Sequence, residues 1–342
     1  MTASASGPAS VAVAPREPMP RSSIAPTVDV SVLVPAKDEA DNLPLFMEQA
    51  AAAFASSPVS FEVIVVDDGS EDETWAVLQD LATRYPFLRT ARHRRRQGIA
   101  SALRTGYLQA RGRVLVFYPA DLQYKPEDIP RLVEPILEGH SDMVTGYKMG
   151  DYEKAFVSRI YKGVSRALFD LPVRDLTSAQ AYRREVMDAL PVRPDCHRYM
   201  IAIAAAQGFT VTEIPIQLYA RHAGKSKFGL SRIPVGVLDM LAVWFELRFS
   251  EKPLLLFGML GAALFLIGVL SGLVALALLA FRDVGVRAVW TIIQTCLILG
   301  SILFAAGLLG EQIAGQRAEL REMRRRLDEA TAARDDRPAP RG

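Results

Sequence analysis

The 342-residue chain has little cysteine, little histidine and almost no net charge. Cys196 and Cys296 are too few for a disulfide framework or a cysteine-rich zinc site. The four histidines show no HExxH and no paired spacing, which argues against a histidine-built metal centre. Forty Lys and Arg against 38 Asp and Glu leave +2, so nothing points to nucleic acid as a partner. No GxGxxG follows the first strand-like run, and no GxxxxGK[ST] occurs anywhere. Rossmann dinucleotide binding and P-loop chemistry therefore lose their main supports.

Apolar residues, by contrast, make up 50% of the chain, and they are unevenly placed. From Pro253 to Phe281 there is no charged residue. As a helix rising ~1.5 Å per residue, that stretch exceeds the ~30 Å hydrocarbon core of a bilayer. A loop with Arg282, Asp283 and Arg287 leads into a second uncharged run, Ala288 to Gly310. The two read as a transmembrane hairpin. Arg248 and Lys252 precede it, and Arg317, Arg321, Arg324, Arg325 and Arg326 follow, against two arginines in the loop. That bias places both long ends in the cytoplasm and the chain in the inner membrane. Residues 1–28, rich in Ala, Ser and Pro without a continuous apolar core, read as a disordered tail rather than a secretory signal.

Between these ends, strand-length apolar runs alternate with helix-period segments. Residues 28–34 (VDVSVLV), 61–66 (FEVIVV) and 113–118 (RVLVFY) read as strands, with helices near 41–54, 71–83 and 98–110. This order predicts an α/β domain with a mostly parallel sheet, whose ligand sits beyond the carboxyl ends of the strands. Asp38 and Glu39, Asp67 and Asp68, and Asp121 all fall just past strand ends. Carboxylates gathered in one crevice suit a hard divalent cation, and such a cation suits a diphosphate. Asp121 and Gln123 alternate on what reads as an extended segment, pointing both oxygens the same way. Ser70 and Asp72 read more simply as helix caps.

The segments VPAKDEADNL (34–43), VVDDGSEDET (65–74), GIASALRTGYLQARG (98–112), ADLQYKPEDI (120–129) and RHAGKSKFG (221–229) resemble family 2 glycosyltransferases. The likeness is to the membrane-bound polyprenyl-phosphate type, such as dolichol-phosphate mannose synthases, from about residue 28 to 310. It implies a GT-A fold (Rossmann-like) and transfer, with inversion, from a nucleotide sugar to polyprenyl phosphate. By position, Pro35, Asp38 and Glu39 would lie along the nucleoside, and Asp68, beside Asp67, would contact base or ribose. Gly98 opens the third motif. Asp121 and Gln123 match the second acid and the glutamine of a D-x-D-x-Q element that holds Mg²⁺ or Mn²⁺. Asp175 matches an acid near the acceptor phosphate, and Arg221, Ser226 and Lys227 match an R-x-x-G-x-S-K phosphate clamp.

Two departures stand out. Pro119 replaces the first acid of D-x-D, and Arg96 replaces an asparagine before Gly98. The lost carboxylate keeps a second reading open, a non-catalytic membrane-anchored nucleotide-binding or scaffold protein. A processive polysaccharide synthase is disfavoured by the two spans and the lack of Q-x-x-R-W.

Arg159, Lys162 and Arg166 share one face of a segment (156–169) whose Phe156, Ile160 and Val164 share another. This reads as a basic amphipathic helix at the membrane surface, with Arg159, in an Arg-x₅-Ser resembling the family's acceptor segment, toward the lipid phosphate. Residues 231–249 confine Arg232, Asp239 and Glu246 to one stripe, with Trp244 as an interfacial anchor. Ile313, Leu320 and Leu327 recur every seven residues in a charged tail, which reads as a solvated helix compatible with a homo-oligomer. The expected order is thus tail (1–28), GT-A domain (29–230), interfacial helix (231–252), two transmembrane helices (253–310) and charged cytoplasmic tail (311–342).

Overall fold

The computed structural model describes residues 26–55, 57–149, 179–189, 199–220, 222, 252–281 and 287–335, with residues 238, 241, 242, 244, 245, 248 and 249 besides. The chain divides into two compact units, Met1–Val243 and Trp244–Gly342. The amphipathic segment at 156–169, most of that at 231–249 and nearly all of the N-terminal tail lie outside the described residues.

In the first unit, β1 (Val28–Ala36), α1 (Leu43–Ala55), β2 (Phe61–Asp67), α2 (Thr74–Arg84), β3 (Leu88–Arg92), α3 (Ile99–Gln109) and β4 (Gly112–Phe117) follow the expected alternation. Then come a 3₁₀ turn (Pro126–Asp128), α4 (Ile129–Leu137), β5 (Met143–Met149), β6 (Gln180–Arg183), α5 (Arg184–Ala189), α6 (Met200–Ala206) and β7 (Val211–Gln217). The strands form one sheet in the order β3-β2-β1-β4-β6-β5-β7. The first four are parallel; β6 runs antiparallel to both β4 and β5, and β7 is parallel to β5.

Near-continuous apolar strands are what a parallel sheet covered on both faces requires. Val30, Val32 and Val34 sit in one core cluster with Leu43, Phe46 and Met47 of α1. On the α3 side, a Cβ on Gly106 would stand 3.3 Å from Leu33 and 3.6 Å from Val66. Polar residues are nonetheless buried in the sheet, Ser31 and Glu62 among them. Glu62 accepts from Ser31 Oγ (2.7 Å) and the Arg111 amide (2.6 Å), and pairs with the Arg111 and Arg89 guanidiniums. Burial would raise its pKa, but these hydrogen bonds and Arg111 outweigh it and hold the carboxyl below its ordinary range. Ser31 Oγ in turn accepts from the Gly112 amide at 2.7 Å, so this polar knot fixes where β4 starts.

The second unit comprises a π-helical turn (Leu254–Gly258), α7 (Met259–Phe281) and α8 (Arg287–Asp335). Leu254–Leu279 and Val289–Leu320 are long and apolar enough to cross a membrane, and only 11% and 17% of their most apolar windows are buried. A core helix of a soluble protein would hide far more of such a surface. The helices meet through glycines: a Cβ on Gly261 would stand 2.7 Å from Gly300 O, and one on Gly300 would stand 2.7 Å from Gly261 O. Small residues let two backbones approach this closely. Nearer the base, the Glu311 carboxylate accepts from the Leu254 amide at 3.3 Å. The charged tail is helical, as its sequence suggests, and continuous with the second apolar stretch: α8 runs unbroken for 49 residues, roughly 73 Å at 1.5 Å per residue.

Candidate active site

Strand order reverses at β1, with β2 and β3 on one side and β4 on the other. A doubly wound sheet opens a crevice at such a point, beyond the carboxyl ends of the strands. The carboxyl ends of β1, β2 and β4 and the loops after them lie there, carrying Asp38 and Glu39, Asp67 and Asp68, and Asp121 and Gln123. Pro35 lies within β1, half-buried, opposite Val66 in the register of β2.

The loops after β1 and β2 are stitched together. The Asp38 amide donates to Ser70 Oγ (2.9 Å), and the Glu71 amide donates back to Asp38 Oδ1 (3.0 Å). The Glu39 amide donates to Thr74 Oγ1 (2.8 Å), while the Glu39 carboxylate accepts from Asn42 Nδ2 (2.6 Å). Lys37 Nζ reaches Gly69 O (2.8 Å), Asp38 (3.1 Å) and Glu71 (3.3 Å). Burial lowers the pKa of this ammonium, but its hydrogen bonds to Asp38 and Glu71 outweigh burial and carry it above its ordinary value.

Asp67 and Asp68 divide their work. Buried Asp67 accepts from the Ser70 amide (2.8 Å), shaping the turn, and pairs with Arg92 at 3.1 Å. Asp68, 5% exposed, accepts from the amides of Gln97 and Gly98 and from His93 Nδ1, each at 2.8 Å. A carboxylate only accepts, so His93 carries its proton on Nδ1 in this bond, and Nε2 lies 2.9 Å from Thr105 Oγ1. Asp68 is therefore the brace of the loop that brings Arg94, Arg95 and Arg96, all exposed, from β3 to α3. Gly69, at φ +71°, lets that loop pass: a Cβ there would stand 2.7 Å from the backbone of Arg95 and Arg96. Gly98, at φ +94°, has open space where a Cβ would be, so conformation rather than crowding calls for glycine.

Past β4, the segment with Asp121 and Gln123 is a turn rather than the extended stretch the sequence suggests. Leu122 is left-handed at φ +57°, and the Gln123 amide donates to Asp121 Oδ1 at 3.2 Å. Alternation survives all the same: Ala120, Leu122 and Tyr124 are buried, while Asp121 and Gln123 remain half-exposed. The Tyr219 amide donates to Gln123 O at 2.9 Å, tying the turn to the strand exit after β7. Among the described residues, Asp38 (φ +54°) and Leu122 are the non-glycine residues with positive φ, and they flank the switch point. Such backbones cost about 1–2 kcal/mol and collect at functional sites. At Leu122, burial of the side chain offsets that cost.

Asp121 and Gln123 offer one carboxylate and one carboxamide oxygen. Among the described residues no group of three or more His, Cys, Asp and Glu is placed to hold an ion. This donor set fits a hard cation that completes its shell with diphosphate oxygens and water. Arg159, Asp175, Arg221, Ser226 and Lys227 lie outside the described residues. The sequence singled out the acids at the strand ends, but not His93 and Thr105; the pattern D-D-G-S carries no trace of a partner 25 residues on.

Residues 31–190 match the family described as Glycosyl transferase family 2. The dodecaprenyl-phosphate galacturonate synthase of Rhizobium johnstonii is 29% identical, over 84% of this chain and 88% of its own length. An undecaprenyl-phosphate 4-deoxy-4-formamido-L-arabinose transferase of Klebsiella pneumoniae is 28% identical, over 84% and 89%. The dolichol-phosphate mannosyltransferase of Pyrococcus furiosus is 32% identical over 58% of each chain. Among solved structures, the glucosyl-3-phosphoglycerate synthase of Mycobacterium tuberculosis with Mn²⁺ and UDP-glucose superimposes with a TM-score of 0.52 at 20% identity. That match covers 64% of this chain and 79% of the other, and it marks the fold as GT-A.

Proposed function

We propose that this chain, a family 2 glycosyltransferase by its domain at residues 31–190, transfers a sugar from a nucleotide sugar to polyprenyl phosphate at the cytoplasmic face of a membrane, with inversion. The observation that carries the proposal is the convergence, at one topological switch point, of the strand ends and loops bearing Asp38, Asp67 and Asp121 on a chain that also has two lipid-length apolar helices. The named activities of the relatives support the acceptor class.

In this reading the nucleotide lies along Pro35, Asp38 and Glu39, with Gly98 leaving room for it, while buried Asp67 acts only through the turn it shapes. Asp68 acts by holding the Gly98 loop in place. Asp121 and Gln123 would hold Mg²⁺ or Mn²⁺; when bound, the cation offsets the charge that grows on the departing diphosphate. The bond between the anomeric carbon and a diphosphate oxygen breaks as an acceptor phosphate oxygen bonds to the opposite face. A phosphate monoester with a second pKa near ~6 is largely dianionic at neutral pH, so its oxygen needs no strong base. Orientation and charge compensation are then what the chain must supply, and the resemblance assigns them to Asp175, Arg159, Arg221, Ser226 and Lys227.

The test is incubation of the purified full chain with UDP- and GDP-sugars, Mg²⁺ or Mn²⁺, and undecaprenyl phosphate, with 3-phosphoglycerate as the water-soluble control acceptor. A sugar-charged lipid, lost in Asp121→Ala and absent with the control acceptor, is expected. Failure to transfer from any donor, with nucleotide binding indifferent to metal and to Asp121→Ala, would favour the scaffold reading that Pro119 motivates.

A further inference from the structure

Helix α8 has two apolar sides. Gly300, Gly307 and Glu311 meet the first helix of the hairpin or the turn before it. Positions two residues on, Ile302, Leu309 and Ile313, are turned about 200° away at 100° per residue. They are 59%, 61% and 50% exposed. The same stripe leaves the apolar span and continues through Leu320 and Met323, 52% and 53% exposed, to Leu327. In heptad terms Ile313, Leu320 and Leu327 occupy a, while Leu309, Gln316 and Met323 occupy d.

The charges beside this stripe say what it fits. Residues 311–335 carry six basic and six acidic side chains, so the segment is neutral and two copies do not repel. A parallel in-register pair sets each g position against the e position five residues on in its partner. That pairs Glu319 with Arg324, an attraction made twice, and leaves Gln312 with Arg317 and Arg326 with Thr331, neither a like-charge pair. An antiparallel pair would set e against e, arginine against arginine. Two copies inserted in one bilayer share an orientation, which also selects the parallel arrangement.

We infer that the partner of this face is a second copy of the chain: residues 302–327 of two protomers pack as a parallel helix pair that begins inside the bilayer and ends in water. The seam lies opposite the contact with α7, so each hairpin stays intact on pairing. The inference is independent of which reaction the first unit performs.

Single cysteines test it in the full chain, in detergent or nanodiscs, on a background of Cys196→Ser and Cys296→Ser. Leu320→Cys and Met323→Cys should cross-link between protomers on oxidation, and Ala318→Cys, on the far side, should not. Light scattering should give at least twice the 37.5 kDa protomer, falling to one protomer in Leu320→Asp. Glu319→Arg and Arg324→Glu should each weaken association, and the double exchange should restore it. A single-protomer mass for the unaltered chain would overturn the inference. So would equal cross-linking at Ala318→Cys and Leu320→Cys, or a Leu320→Cys cross-link confined to its own chain.

Discussion

Asp68→Asn removes the charge from the carboxylate that braces the arginine loop while keeping its shape. In the native protein Oδ1 accepts from Gln97 N and His93 Nδ1, and Oδ2 accepts from Gly98 N, all at 2.8 Å. Asparagine has one acceptor oxygen. With that oxygen toward Gln97 and His93, its amide nitrogen faces the Gly98 N–H, donor to donor. One hydrogen bond to a charged group is lost, worth about 1.5–3 kcal/mol, and the remaining two become neutral and weaker. A local loss of about 2 kcal/mol corresponds to a roughly 30-fold larger open population of the loop, and so to roughly 30-fold faster exchange. Hydrogen exchange of the purified chain, followed by mass spectrometry on peptides spanning residues 93–105, measures this directly. Faster exchange should be confined to the loop and the first turn of α3, with β1 and β2 unchanged. Asp68→Ala, which strands three donors, should loosen the loop further. Unchanged protection in Asp68→Asn would refute the bracing role and leave the Gly69 contact as what holds the loop.

Gly261→Ala and Gly272→Ala make a matched pair in the hairpin. The added methyl meets Gly300 O at 2.7 Å in the first and only Ile293 at 3.7 Å in the second. Overpacking of about 1–3 kcal/mol should lower the thermal midpoint of Gly261→Ala in detergent, while Gly272→Ala holds or gains; equal midpoints would refute the clasp. Glu62→Leu strands Arg111 and the Ser31 hydroxyl and should cost about 3 kcal/mol, with Glu62→Gln costing less, measured by denaturant unfolding. Asp29 accepts from Ser60 and pairs with Arg113, which lower its pKa from 3.8 to about 2. A depressed carboxyl stabilises fully above its unfolded pKa and less as pH falls through its folded one. Its contribution, about 1 kcal/mol after solvent screening, should therefore fade between about pH 4 and 2. Asp29→Asn should be less stable than the unaltered chain at neutral pH and converge with it near pH 2.

The elements legible in the sequence are those whose pattern is local. β1, β2 and β4 announce themselves as apolar runs, and α1 to α3 as the helix-period segments between them. β3 (Leu88–Arg92) escaped because five residues with two arginines make no apolar run; it forms because β2 offers it an edge. β6 needs two antiparallel neighbours that no local pattern reveals. At the site, the acids at the strand ends were visible as residue types, but their division of labour was not. Asp67 and Asp68 are adjacent in sequence, yet one shapes its own turn and the other reaches the loop before α3. The bend at Leu122 was hidden for a similar reason, since a left-handed leucine is stable only where a core receives its side chain.

Because α8 is unbroken from its apolar stretch to Asp335, the rotational phase of its charged end is locked to that of the hairpin. One residue inserted near Gly315 would swing everything downstream by about 100° around the axis, moving Leu320 off the line of Ile313. An insertion of seven would lengthen the rod by roughly 10 Å and return it almost to register. For the proposed helix pair, length changes in this region should therefore be tolerated in whole heptads rather than one residue at a time.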